Sequence, residues 1–269
     1  MKRFLILVLS LLMSAGACLA EQAMPEWEYP LAPEILENKA GYITLVNRDH
    51  LLASDYEPDD LMVINSARHI SSIKGDMLRK AAMQAVTRMF EAAEADGMIL
   101  YLKSVYRAYS TQSYMYKNRM NSVGHDDGVV AYPGSSDHQT GLGADILNLE
   151  WTKKSGMTPA FGQTEEARWM AEHCGEYGFI IRYMEGKEDI TGIIYEPWHL
   201  RYVGVEAAAY IMANQLSLEE FDEEWHAYIA DWEARGGDFK ELLRLRAIPV
   251  PAEVLYTTEE GEEEISLFH

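Results

Sequence analysis

Two stretches of this chain hold residue types that bind metals and move protons. Ser136–Asp145 (SDHQTGLGAD) carries His138 and Asp145, and Glu196–Gly204 (EPWHLRYVG) carries His199 with Glu196 shortly before it. Two imidazoles and a carboxylate are the mixed ligand set that holds zinc in many hydrolases, where three protein groups leave a fourth position to water. A further carboxylate beside that water completes a site for metal-assisted hydrolysis, and Glu196 is the residue for that place. The spacing of His138 and Asp145 is not the i, i+4 pairing that puts two histidines on one helix face. Gly141 and Gly143 instead predict a tight loop entering a strand, so that a loop histidine and a strand aspartate reach one ion. Ser136, His138 and Asp145 are also the residue types of a serine-hydrolase triad. The two-residue step from nucleophile to base is cramped, however, and a triad leaves Glu196 and His199 unused.

These groups need a scaffold. Apolar periodicity and turn signals predict helices over residues 75–96, 110–120, 164–177, 205–215, 217–232 and 238–246. Short strands are expected at 41–46, 98–103, 144–149, 178–183 and 191–195, the last delivering Glu196 and His199. Residues 151–162 read as loop, and Asp55–Asp60 as an exposed turn cluster without EF-hand spacing. Helices and short strands without a regular βαβ rhythm predict an α+β fold with a small central antiparallel sheet flanked by helices. Residues 21–40, with three prolines, read as an extended N-terminal linker with the domain surface as a place to lie. Residues 41–225 form the expected functional domain, and 226–269 a helical and acidic C-terminal extension.

The 269 residues carry 43 acidic against 23 basic side chains, a formal net charge of −20. That excess argues against nucleic acid, which needs clustered Lys and Arg, and against docking on anionic lipid. Residues 1–20 read as a signal peptide: Lys2 and Arg3, then the apolar Phe4–Met13, then small residues up to Ala20. The apolar run is too short to span a membrane. The expectation is an exported protein, extracellular or associated with the cell wall; a lipid anchor on Cys18 is the alternative. Without residues 1–20, Cys174 is the one cysteine left, which excludes an intramolecular disulfide and predicts a buried, inert thiol.

A third motif, Ser104-x-Tyr106-Arg107 with Gln112 five positions on, precedes the other two. In this order the three patterns, S-x-Y-R-x-x-x-x-Q, S-x-H-x-x-G-x-x-x-D and E-P-W-H-x-R-Y-V-G, resemble those of the VanY-type D-alanyl-D-alanine carboxypeptidases, within the wider VanX, VanY and hedgehog-like fold group. The likeness covers roughly residues 40–225. It departs mildly at Asp137 and Gly143, where the family often has Glu and Ala; neither position is a ligand or the base. The resemblance implies Zn²⁺ on His138, Asp145 and His199, with Glu196 as general base. It implies that Arg107 meets either the scissile carbonyl oxygen or the terminal carboxylate of the substrate. Ser136 and Gln112 are expected to hydrogen-bond the peptide, and Tyr183 to line the cleft. The implied partners are peptidoglycan stem peptides, met by a monomer that removes their C-terminal D-alanine. L,D-carboxypeptidase action on tetrapeptide stems and a non-catalytic wall-binding module with a structural zinc are the alternatives.

Overall fold

A computed structural model describes residues 24–65, 68–70 and 76–247. The proposed signal peptide, Cys18 and the acidic tail lie outside them. In chain order the elements are helix α1 (Pro33–Leu36), strands β1 (Leu61–Val63) and β2 (Met77–Arg79), helix α2 (Lys80–Ala95), strand β3 (Tyr101–Ser104) and helix α3 (Tyr109–Val123). Strand β4 (Gly143–Leu147), helices α4 (Leu149–Thr152) and α5 (Glu165–His173), strand β5 (Phe179–Ile181) and helix α6 (Glu188–Thr191) follow. Strand β6 (His199–Tyr202) and helices α7 (Val205–Ala213), α8 (Leu218–Ala234) and α9 (Phe239–Arg246) complete the order. The main sheet runs β3-β4-β6-β5, antiparallel throughout, and β1 with β2 forms a separate antiparallel pair. This is the α+β architecture with a small antiparallel sheet expected from the sequence.

The cores follow from strand alternation. Phe179 and Ile181 pack into a large cluster with α2, β3, β4 and α5, whereas Ile180 joins a second cluster with α7 and α8. That split is what the two-residue side-chain period of a strand requires. The second cluster also takes Tyr29, Leu31 and Leu36, so residues 24–40 lie against the body rather than hanging free. Trp232, fully buried, donates its indole N–H to the carbonyls of Pro25 and Glu26. Helix α8 opens on the capping box formed by Ser217 and Glu220, and it runs unbroken through residues 225 and 226.

Four expectations are corrected. Residues 41–46 are not a strand, because side chains serve their carbonyls: Arg201 donates to Tyr42 and Thr44, and Arg182 to Val46. Residues 191–195 are not a strand either. Thr191 closes α6, Gly192 turns the chain at φ 70°, and Ile194 makes a single long-range backbone bond, to Gly128. The helix expected over 75–96 begins only at Lys80, since Met77–Arg79 pair with β1; Gly75 lies outside the described residues. The loop expected over 151–162 begins inside α4 and ends in a 3-10 turn at Pro159–Gln163.

Trp232→Ala is expected to destabilise the fold by about 3–5 kcal/mol, the usual cost of emptying a large core site. Denaturant unfolding measures that loss, and limited proteolysis should then find the chain newly open near residues 25–32.

Candidate metal centre and cleft

The site is built on one row across the sheet. In register, Ser104 of β3 faces Asp145 of β4, and Asp145 faces His199 of β6. His138 arrives from a 3-10 turn, Asp137–Thr140, folded back onto β4. Two glycines allow that return. Gly141 sits at φ 68°, where a side chain is strained. At Gly143 an added Cβ would lie 3.0–3.1 Å from Asp137 and the His138 nitrogen, so the turn closes only over a bare backbone.

The donors converge. Asp145 Oδ2 is 3.3 Å from His138 Nε2, and Asp145 Oδ1 is 2.9 Å from His199 Nδ1. One ligand atom from each of the three buried residues lies within 4.8 Å of the others. Glu196 Oε2 stands 3.9 Å from His199 Nδ1. The tautomers suit a cation. His138 Nδ1 lies 2.7 Å from the Val105 carbonyl, which leaves the Nε2 lone pair facing Asp145, a support common behind metal-binding histidines. His199 Nε2 is buried without a hydrogen-bond partner, 4.0 Å from Asp137 Oδ2. A cation held on Nδ1 would leave the ring proton on Nε2, 4.0 Å from the Asp137 carboxylate. The residues fit a divalent metal.

The same contacts dispose of a triad. His138 has one nitrogen on the Val105 carbonyl and the other on Asp145, so neither is left for Ser136.

The third motif is a mount for one guanidinium. Arg107 donates through Nη1 to Gln112 Oε1 at 2.7 Å and through Nη2 to Ser104 Oγ at 2.9 Å, while its backbone N–H donates to the His138 carbonyl. Gln112 spends its own amide N–H on the Ala131 carbonyl at 2.6 Å and is fully buried. The structure therefore puts Gln112 behind the cleft, holding Arg107. Arg107 stands 4.0 Å from Asp145. Ser136, Tyr183 and Glu196 line a cleft of about 290 Å³ with the three donor residues, Arg107 and Trp198. The Tyr183 ring lies 5.1 Å from that of His199.

Charge states follow from burial and from neighbours. Burial first, and Arg107 second, push the His138 imidazole down to about 4. Burial alone raises a carboxylate, yet His138 and His199 together hold Asp145 well below its usual range. Burial, then the Asp145 charge, lifts Glu196 well above an ordinary glutamate, with Arg107 opposing. That is the direction a proton acceptor at neutral pH requires. Away from the cleft, burial pushes the Cys174 thiol up to about 12, in keeping with an inert core cysteine.

Sequence reasoning passed over Asp137, Arg182 and Arg201. All three are fully buried; Asp137 accepts from Arg182 Nε at 2.8 Å and pairs with Arg201 through its other oxygen. The signal was present. An arginine inside or just after a run of buried strand residues (FIIR, HLRY) needs a buried partner, since an unpaired charge there is costly.

In architecture the chain is of the VanY/VanX peptidase type. It is 41% identical to the LdcB LD-carboxypeptidase, with a TM-score of 0.60 over 66% of this chain and 84% of that one. A VanY D,D-pentapeptidase variant solved with Zn(II) is 31% identical, with a TM-score of 0.54 over 67% and 98%. The bifunctional D-Ala-D-Ala dipeptidase and carboxypeptidase VanXYC of Enterococcus gallinarum is 30% identical over 70% of this chain and 95% of its own. The family model described as VanY, D-alanyl-D-alanine carboxypeptidase, matches residues 75–205. The chain belongs to the VanY family.

In metal-free protein the His138 ring is expected to stay neutral from about pH 8 down to about pH 5, below the ordinary histidine value. A lowered pKa means that protons do not compete for its lone pair in that range. An NMR titration of the ring reads this directly; protonation near 6.5 contradicts it.

Proposed function

We propose that this protein is a zinc carboxypeptidase that removes the C-terminal D-alanine from peptidoglycan stem peptides. One observation carries the reading: three buried donors within 4.8 Å of one another, with the Glu196 carboxylate 3.9 Å from His199 Nδ1. The signal-like residues 1–20 support action outside the cell, at the wall.

His138, Asp145 and His199 would hold Zn²⁺. When bound, the ion supplies positive charge to polarise a carbonyl and lowers the pKa of water from 15.7 to about 7. The protein's own groups do the rest. Glu196 takes the proton from the attacking water as the carbon–oxygen bond forms. It passes that proton to the nitrogen of the departing D-alanine as the carbon–nitrogen bond breaks. Arg107 stays charged at any working pH and presents a planar fork. Ser104 and Gln112 hold it facing the cleft, where it meets the carbonyl oxygen or the terminal carboxylate. Ser136 and Tyr183 shape the wall against which the peptide end lies.

The bond before that D-alanine has two readings. A D,D bond fits the family description and the D-Ala-D-Ala activities named for VanXYC. An L,D bond is favoured by the 41% identity to an LD-carboxypeptidase. Incubating zinc-loaded protein with synthetic pentapeptide and tetrapeptide stems, followed by mass spectrometry, assigns the bond; loss of D-alanine from neither overturns the proposal.

Glu196→Gln is expected to keep zinc while lowering kcat about 10²–10⁴-fold, the usual contribution of a positioned acid–base group. A wall-binding module with a structural metal would instead keep all its function in that variant. Chelation should abolish turnover and zinc should restore it; activity that survives chelation contradicts the reading.

A further inference from the structure

A chain of charged groups runs inward from the partly buried Glu219 of helix α8 to the back of the donor cluster. Glu219, in the first turn of α8, accepts two parallel hydrogen bonds from the Arg182 guanidinium, at 2.8 and 2.7 Å. The third nitrogen of that guanidinium, Nε, donates to Asp137 Oδ2 at 2.8 Å. The same Asp137 oxygen lies 4.0 Å from the orphaned Nε2 of His199. Asp137 Oδ1 is occupied by Arg201. Arg182 also sits 4.8 Å over the Tyr183 ring, which in turn packs on His199.

Charge balance makes Glu219 the controlling member. Asp137 and Glu219 carry two negative charges against the two positive charges of Arg182 and Arg201; Asp137 and both arginines are fully buried and Glu219 is partly so. Without Glu219, the terminal nitrogens of Arg182 keep only the Val46 carbonyl, at 3.3 Å. One buried positive charge is then in excess, and it draws on the carboxylate that faces His199. Glu219 lies beyond residues 75–205, the stretch matched by the family model, so the support comes from a helix outside that stretch.

We propose that Glu219 is a positioning residue of the metal centre, acting through Arg182 and Asp137 on His199. This rests on the reading of His138, Asp145 and His199 as a zinc site and deepens it. Residues behind metal ligands commonly change metal affinity 10–100-fold when altered.

The test compares two neighbours on one helix turn. Glu219→Gln removes the charge from Arg182. Glu220→Gln, the control, removes the charge that pairs with Lys187 and leaves an amide oxygen to close the α8 cap on the Ser217 N–H, without touching Arg182. Zinc affinity of the full chain is measured by competition with a chromogenic chelator, alongside the thermal midpoint of each metal-free variant. Glu219→Gln is expected to weaken zinc binding about tenfold or more, while Glu220→Gln binds within about twofold of wild type. Equal losses in the two variants, or unchanged affinity in Glu219→Gln, overturn the proposal. If Glu219→Gln does not fold, Glu219→Asp, which keeps the charge but shortens its reach, is compared with Glu220→Asp. Wild-type affinity in Glu219→Asp then overturns it. A wild-type chain that binds zinc but cleaves neither stem peptide refutes the hydrolase reading and leaves this comparison intact. A wild-type chain with no measurable zinc affinity refutes both.

Discussion

The arrangement depends on the register of three antiparallel strands. Ser104, Asp145 and His199 stand opposite one another on β3, β4 and β6, so one row supplies two candidate ligands and the support of Arg107. A slip of one residue would turn Asp145 or His199 to the opposite face, and no loop adjustment could restore the cluster. The flanking apolar positions guard against this. Ala144 and Ile146 of β4 and Leu200 of β6 are fully buried in the larger core, so a slip would turn them toward the cleft and carry the polar residues into the apolar cluster without partners. The packing that stabilises the sheet also sets the distances in the site.

Behind the row lies a polar layer unusual for a protein core. Asp137, Arg182 and Arg201 are removed from water completely, and desolvation of such groups costs several kcal/mol each unless partners replace the lost hydration. Here they do. Arg201 shares itself between Asp137, its own strand and the carbonyls of Tyr42 and Thr44. Arg182 divides its donors among Asp137, Glu219 and Val46. Two arginines outweigh burial and hold Asp137 below the ordinary carboxylate range. Because the partners are spread over separate segments, the layer stitches residues 42–46, the 3-10 turn, the end of β5, β6 and α8 into one support for the cleft.

The terminal segments belong to the same economy of packing. Residues 24–40 and helices α7 and α8 share one apolar cluster, with Trp27 placed edge-on to Trp232 and Tyr228. That cluster presses against the side of β5 opposite the larger core through Ile180. Segments far from the cleft in sequence therefore hold the helix that carries Glu219.

The residue types alone marked the candidate site: two imidazoles, an aspartate and a nearby glutamate in motifs whose order resembles one family. They also determined most helices, because caps such as Ser217 and Thr164 and the apolar repeat of α2 are local signals read within a few residues. Local signals failed where tertiary partners decided the backbone. Residues 41–46 alternate like a strand, yet two distant arginines take their carbonyls. Gln112 falls in a motif with Arg107, but only the fold turns its amide onto that arginine and the Ala131 carbonyl. The carboxylate partners of Arg182 and Arg201 were equally out of reach of spacing, since they stand 37 to 64 positions away. Pairing between such distant residues is set by strand register and by the burial of charge, which no short window of sequence contains.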